Sequence, residues 1–213
     1  MPARSSSEGT RHTGARLRPA CERDLSSCAL SGRLYRREVS PGRHRTAIIG
    51  SVPLTATCLC LLTRPDGDGT REVLLGRKKT GFGTGKIVAL GGHVEPGESA
   101  AEAAAREVKE ESGIRVAPGA LTAAASLTFL FPAHPSWDMD VEIFTAADWA
   151  GEAAESDEIR PEWFPVTALP YDRMWDDAPR WLPRVLAGER LRATFTYAGD
   201  NETVAKEAIA PLP

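Results

Sequence analysis

Residues Gly91–Ile114 read GGHVEPGESAAEAAAREVKEESGI, and three glutamates, Glu107, Glu110 and Glu111, crowd the end of one alanine-rich run. Ser99 followed by Glu102 is a capping box, and Gly113 suits the position just past a helix end, so a helix is predicted over Ala100–Ser112. At about 100° per residue, Ala101, Ala105 and Val108 gather on one side of it. Glu107, Glu110 and Glu111 gather opposite, with Ala100, Ala103 and Ala104 beside them. Like charges at such spacings repel. Either that face is only solvated, or a cation relieves the repulsion. Hard divalent ions such as Mg²⁺ take oxygen ligands, commonly a few carboxylates together with substrate phosphates.

The chain around this helix has 213 residues, 42% apolar and 26% charged, enough for one domain with a full core and an extension. Its net charge of −3 is unevenly spread. Residues 1–50 hold ten arginines, no lysine and four acidic residues, a net +6, which leaves −9 on the other 163. An acidic body is a poor general binder of nucleic acid, so a polyanionic ligand would need local cations or a metal. The four cysteines, Cys21, Cys28, Cys58 and Cys60, fit no zinc spacing. Cys58 and Cys60 fall two apart on a strand-like run and read as buried free thiols of a reducing cytoplasm. Thr46–Leu62 is apolar but is interrupted by Pro53 and rich in β-branched residues, which favours a buried strand from about Leu54 over a membrane segment.

Residues 1–45 are rich in Ser, Arg, Gly and Pro without apolar periodicity, and read as a disordered basic extension, with one domain over 46–213. Within that domain strands are expected at Leu54–Leu62 and Glu72–Arg77, around the turn RPDGDG, and at Ile87–Leu90 after a Gly-rich loop, Gly81–Gly85. Further strand-like stretches lie near Leu121–Phe131 and Met139–Ala146, then a helix near Pro179–Leu186 and a terminal hairpin through Ala198–Asn201. Many strands with few helices point to an α/β fold in α/β/α layers.

Counting on from Gly92, five residues lead to Glu98 and seven more to Arg106, followed by Glu107, Val108, Glu110, Glu111, Gly113 and Ile114. This spacing resembles the signature of the Nudix hydrolases, G-x5-E-x7-R-E-U-x-E-E-x-G-U with U aliphatic, at all nine specified positions. The resemblance implies a Nudix α/β/α sandwich with a mixed central sheet and a loop–helix–loop that binds Mg²⁺, or alternatively Mn²⁺, and positions a diphosphate for hydrolysis. It implies Glu107, Glu110, Glu111 and the Gly91 carbonyl as metal ligands, with Arg106 and Glu98 bracing the helix as an ion pair.

Flanking segments, VLLGRKKTGFGTGK at Val73–Lys86, ESDEIRPEWF at Glu155–Phe164, MWDDAPRWLP at Met174–Pro183 and FTYAGDNETV at Phe195–Val204, are similar to those of the MutT-like oxidised purine nucleoside triphosphatases. The resemblance then implies Mg²⁺-dependent hydrolysis of oxidised purine nucleoside triphosphates to monophosphate and pyrophosphate. Orienting water in line with the leaving group needs a carboxylate base beside it. Glu111 is the first choice for that base, and Glu158, which resembles the subfamily's extra metal-binding glutamate, the second. Lys78 is placed to reach phosphate. Phe82, Leu90, Gly91, Gly92 and His93 complete the expected substrate contacts, with Phe129, Phe131 and Met139 as further candidate pocket walls.

Base recognition departs from the subfamily. Val88 stands where an Asn contacts the purine, which predicts broader base tolerance. The subfamily's MWPDD is MWDDAP here. Aligned without a gap it supplies Asp177 and Ala178; with one gap it supplies Asp176 and Asp177. Trp175 stacks on the base in either alignment. Other Nudix activities, on ADP-ribose, nucleotide sugars, dinucleoside polyphosphates or capped RNA, remain alternatives, as does a non-catalytic nucleotide sensor, although no carboxylate of the signature is missing. A monomer with a small nucleotide substrate is expected, with no obligate protein partner, no stable nucleic-acid binding and no membrane association.

Overall fold

The computed structural model describes residues 54–212. The expected basic extension, residues 1–45, and Cys21 and Cys28 lie outside them. Nine strands and two helices follow in the order β1 (Thr55–Pro65), β2 (Arg71–Lys78), β3 (Ile87–Val88), β4 (Leu90–His93), α1 (Ala100–Ser112), β5 (Thr122–Leu130), β6 (Met139–Ala146), β7 (Ile159–Pro165), α2 (Ala178–Leu186), β8 (Leu191–Tyr197) and β9 (Val204–Pro211).

The sheet is mixed. Strand β1 is its axis, parallel to β6 along Thr55–Leu62 and antiparallel on its other edge, first to β4 and then to β2. Beyond β6 the order continues β5, β8, β9, with β5 and β8 parallel. On the other side β2 carries β3 and β7. Two apolar clusters lie against this sheet. One gathers Leu61, Leu127, Ile143 and Phe195 under Trp181, Leu182 and Val185 of α2. The other gathers Cys58, Cys60, Leu62, Leu74 and Phe144 under Ala103, Ala104 and Val108 of α1. A helix layer on each side of a mixed sheet is the α/β/α sandwich.

Helix α1 begins and ends where its signals predict. Ser99 and Glu102 form both bonds of the capping box, and Gly113 sits in the left-handed region at φ 75°. Its buried arc is different from the predicted one. Ala103, Ala104, Val108 and Glu111 are buried, whereas Ala101 and Ala105 are only half-buried. Periodicity fixes the angles between side chains but not which arc meets the sheet, and the sheet has taken the arc that carries Glu111 inward.

Strand β7 was not expected. Pro161 interrupts its sequence, and a proline cannot donate to a central ladder. Among the described residues β7 pairs only with β2, so it is an edge strand and one lost donor is tolerated. Cys58 and Cys60 are free and fully buried, and burial pushes their thiols up to about 11 and about 12. Among the described residues no helix is long and apolar enough to cross a membrane.

Candidate active site

Strand β4 and helix α1 meet at two glycines, and both meetings depend on the missing side chain. Gly91 has φ 148°, and a Cβ there would fall 2.1 Å from the Cys58 carbonyl oxygen. A Cβ on Gly92 would fall 2.5 Å from Glu107 Oε1. The bare backbone lets the helix's carboxylates close onto the strand. The Gly91 N–H donates to Glu111 Oε2 at 2.8 Å.

Arg106 organises the other carboxylates. It reaches Glu98 with two nitrogens, Nη2 at 2.7 Å and Nε at 3.2 Å, and its Nη1 reaches Glu107 at 2.9 Å and Glu110 at 3.1 Å. It also donates to the His93 carbonyl at 3.0 Å, which ties the loop before α1 to the helix; the His93 side chain is exposed. From β2, Lys78 Nζ reaches Glu111 Oε1 at 3.1 Å and Glu158 Oε2 at 3.7 Å. Glu107, Glu110, Glu111, Ser156, Asp157 and Glu158 together line one cleft of about 240 Å³.

Glu111 is only 2% exposed. Burial pushes its carboxyl above the usual range, and the Gly91 N–H and the Lys78 ammonium pull it back part of the way. A carboxylate moved toward neutrality is a better proton acceptor than an ordinary surface glutamate. The same shift has a consequence for stability. With the folded value raised, the native state holds its proton longer than the unfolded chain, so this contribution is fully present below the ordinary carboxylate value of 4.5 and is lost as pH rises through the folded value. In metal-free buffer, Glu111→Gln is therefore expected to raise Tm at pH 7, with the gain shrinking to nothing on acidification below 4.5. Paired thermal melts of both proteins from pH 4 to 8 check this, and a lower Tm for the variant at pH 7 refutes it.

The donor set suits a hard divalent cation: clustered oxygens, excess negative charge, and one nearly buried carboxylate. Among the described residues no three His, Cys, Asp or Glu side chains converge closely enough to chelate a metal as they stand. The reason is visible in the ion pairs. Arg106 draws Glu107 and Glu110 toward itself and Lys78 occupies Glu111, so a cation would exchange with these two groups.

A second cluster lies at the far end of the loop that leaves β2. The stretch Gly81–Lys86 carries Phe82, 41% exposed, onto Trp175, ring centroids 5.0 Å apart and nearly parallel. Lys86 Nζ lies 4.4 Å from the Trp175 ring and also pairs with Glu202 at 2.6 Å. Phe131, Trp137 and Tyr197 close the box, and His134 stacks on Trp137 at 4.0 Å. Aromatic walls of this kind hold a planar base by stacking. The candidate walls Phe129 and Met139 pack against the α2-side cluster that Trp175 joins.

The expected base-contacting residues divide. Asp177 is 4% exposed, with Oδ2 accepting from Trp181 Nε1 at 2.6 Å and Oδ1 from the Tyr197 hydroxyl. Asp176 instead accepts from the Val204 N–H at 2.8 Å and pairs with Arg180, fastening the β8–β9 hairpin. Val88 and Leu90 are not brought to Trp175. They pack in the α1-side cluster while Trp175 packs in the α2-side one, because Val88 pairs with Gly76, whose strand neighbours Val73 and Leu75 face α2. Reasoning from sequence missed Trp137, His134, Tyr197 and Trp181. A tryptophan in the polar loop HPSWD was the available signal for the first two; Tyr197 and Trp181 carry no comparable signal in the sequence.

Residues 53–185 match the NUDIX domain family, so the chain belongs to the Nudix hydrolases. It is 42% identical over 133 residues to the oxidized purine nucleoside triphosphate hydrolase of Danio rerio, covering 62% of this chain and 83% of that protein. The mouse (Mus musculus) protein of the same name is 37% identical over 134 residues, 63% of this chain and 83% of its own length. The crystal structure of the mutator MutT protein from Bacillus halodurans aligns with TM-score 0.61 at 25% identity, covering 75% of this chain and 100% of that one. Hydrolases of this family generally use divalent metal ions.

Proposed function

We propose that this protein hydrolyses purine nucleoside triphosphates, oxidised purines included, with Mg²⁺, releasing the nucleoside monophosphate and pyrophosphate. The observation that carries this is the joining of two subsites by one stretch, Lys78–Lys86. Its first residue enters the carboxylate cleft at Glu111 and its Phe82 stacks on Trp175. A nucleotide laid along that stretch puts its base among the aromatics and its phosphates among the carboxylates and Lys78. The likeness to two named oxidized purine nucleoside triphosphate hydrolases supports the same substrate class.

The residues divide the work as follows. Glu107, Glu110, Glu111 and Glu158 would hold the cation, with the Gly91 carbonyl beside them. A divalent ion there supplies positive charge against the phosphate oxygens and makes water more acidic. Glu111 takes the proton of the attacking water. The water oxygen joins one phosphorus of the α–β anhydride, and the bridging oxygen leaves with the other. Lys78, freed from Glu111, holds a phosphate oxygen. Arg106 and Glu98 keep α1 against β4 throughout. A cytoplasmic monomer acting without a protein partner goes with this reading; the free thiols at Cys58 and Cys60 suit a reducing compartment.

The test is a panel of nucleoside di- and triphosphates, 8-oxo-dGTP among them, with ADP-ribose, a nucleotide sugar, a dinucleoside polyphosphate and capped RNA. Turnover is expected to be highest on purine triphosphates, with pyrophosphate as a product, and to vanish when EDTA removes the metal. Preferred turnover of ADP-ribose or capped RNA, or undiminished turnover in EDTA, overturns the reading.

A further inference from the structure

Asp177 precedes α2 and does not cap it. Its carboxyl turns inward instead, where the two groups that meet it are chemically unequal. Trp181 reaches Oδ2 through an indole N–H, which only donates, so Oδ2 is an acceptor in every protonation state. Tyr197 reaches Oδ1 through a phenol, which donates or accepts according to the hydrogen it holds. No salt bridge reaches Asp177 among the described residues; Arg180, the nearest cation on α2, is taken up by Asp176 and Glu207. The tyrosine ring is itself part of the base box, stacked on Phe131 at 4.5 Å and edge-on to Trp175 at 5.9 Å.

Resting on the triphosphatase reading above, we propose that Tyr197 is a specificity-determining positioning residue: by donating its phenol hydrogen to Asp177 Oδ1, it holds this carboxyl as an acceptor and sets the pocket for guanine-type bases. Guanine presents two donors on its Watson–Crick edge, N1–H and the 2-amino group. Adenine presents an acceptor at N1, which needs a donor opposite. Burial pushes the Asp177 carboxyl above its usual range, and the Tyr197 and Trp181 hydrogen bonds, which favour the charged form, pull it back toward ionisation; an ionised Asp177 has no hydrogen to offer adenine. A phenylalanine at 197 would keep the ring stacking and remove only the hydrogen. Asp177 would then take a proton more readily in its dry surroundings and could donate. Because Val88 faces the other cluster, discrimination falls largely on this pair.

The test compares full-length wild type with Tyr197→Phe on 8-oxo-dGTP and 8-oxo-dATP, which share the lesion at C8 and differ at the Watson–Crick edge. kcat/KM is followed from pH 5.5 to 9 with Mg²⁺. The other titratable groups near the pair are Asp176, Arg180, Asp200 and Glu202, with Lys86 across from Glu202; all are retained in the variant. The wild-type preference for 8-oxo-dGTP is expected to fall as pH is lowered and Asp177 takes a proton. In Tyr197→Phe it should be about tenfold smaller at pH 7, the worth of one hydrogen bond to a charged group, and its decline should move to higher pH. Asp177→Asn, which always carries an N–H, should shift the preference in the same direction and lose the pH dependence. This keeps the test open if the phenylalanine variant folds poorly. If wild type hydrolyses neither triphosphate, the function reading fails and takes the proposal with it. If wild type hydrolyses both but the variants lower the two rates equally, with no change in ratio or pH profile, Tyr197 is only structural and the proposal alone is overturned.

Discussion

Glu111→Gln is expected to lower kcat on a purine triphosphate by about 10²–10⁴-fold, the usual range for removing a positioned general base. The amide keeps the shape of the side chain and still accepts from the Gly91 N–H at 2.8 Å, so the backbone around β4 and α1 should not move. What it removes, on the function proposed above, is the group that would take water's proton and contribute charge toward a cation. KM should change far less than kcat, because an interaction needed only in the transition state shows in kcat. The variant is also expected to be the more stable protein in metal-free buffer, since a buried carboxylate is gone. A catalyst that is nearly dead and yet melts higher would separate chemistry from folding in one substitution. Glu158→Gln is the control, with its side chain 64% exposed in the loop across the cleft. If Glu158→Gln shows the larger loss and Glu111→Gln keeps turnover within tenfold of wild type, the base has been assigned to the wrong side of the cleft.

Gly91→Ala is expected to be the most damaging single methyl group in the domain. At φ 148° an L side chain is strained, and here it would also meet backbone: Cys58 O at 2.1 Å and Leu59 Cα at 2.8 Å. These atoms belong to the β1–β4 ladder, where Leu59 pairs with Gly91, and β1 is held on its other edge by eight pairs with β6. Neither neighbour can rotate away as a flexible side chain would. A loss of about 3 kcal/mol or more follows from strain and clash together, which for a domain of this size lowers Tm by on the order of 10 °C. Gly92→Ala makes an informative contrast, because its Cβ would meet only the end of Glu107, a side chain able to shift. That variant should stay folded and lose metal affinity instead. A Gly91→Ala Tm within about 2 °C of wild type would show that β4 can slide away from β1.

What the sequence determined by itself was local or linear. Ser99, Glu102 and Gly113 delimit α1 because capping is a contact among residues three or four apart. The spacing from Gly92 to Ile114 identified the carboxylates because they lie on consecutive turns of one helix. The alternation around Cys58 and Cys60 placed them inside because side-chain direction along a strand repeats every second residue. Everything that depended on contacts between distant segments was decided only by tertiary structure. That Glu111 is buried rather than solvated depends on which arc of α1 the sheet accepts. That Val88 turns away from Trp175 depends on its register with Gly76 in β2. The aromatic box draws Phe82, Phe131, Trp137, Trp175 and Tyr197 from five separate segments. The partners of Asp177 are likewise divided between a helix position four residues on and a strand position twenty residues on. No periodicity in the chain encodes such meetings, because they arise from the packing of whole elements; Tyr197 and Trp181, unlike Phe82, Trp175 and Asp177, became legible only once β8 and α2 had closed around Asp177.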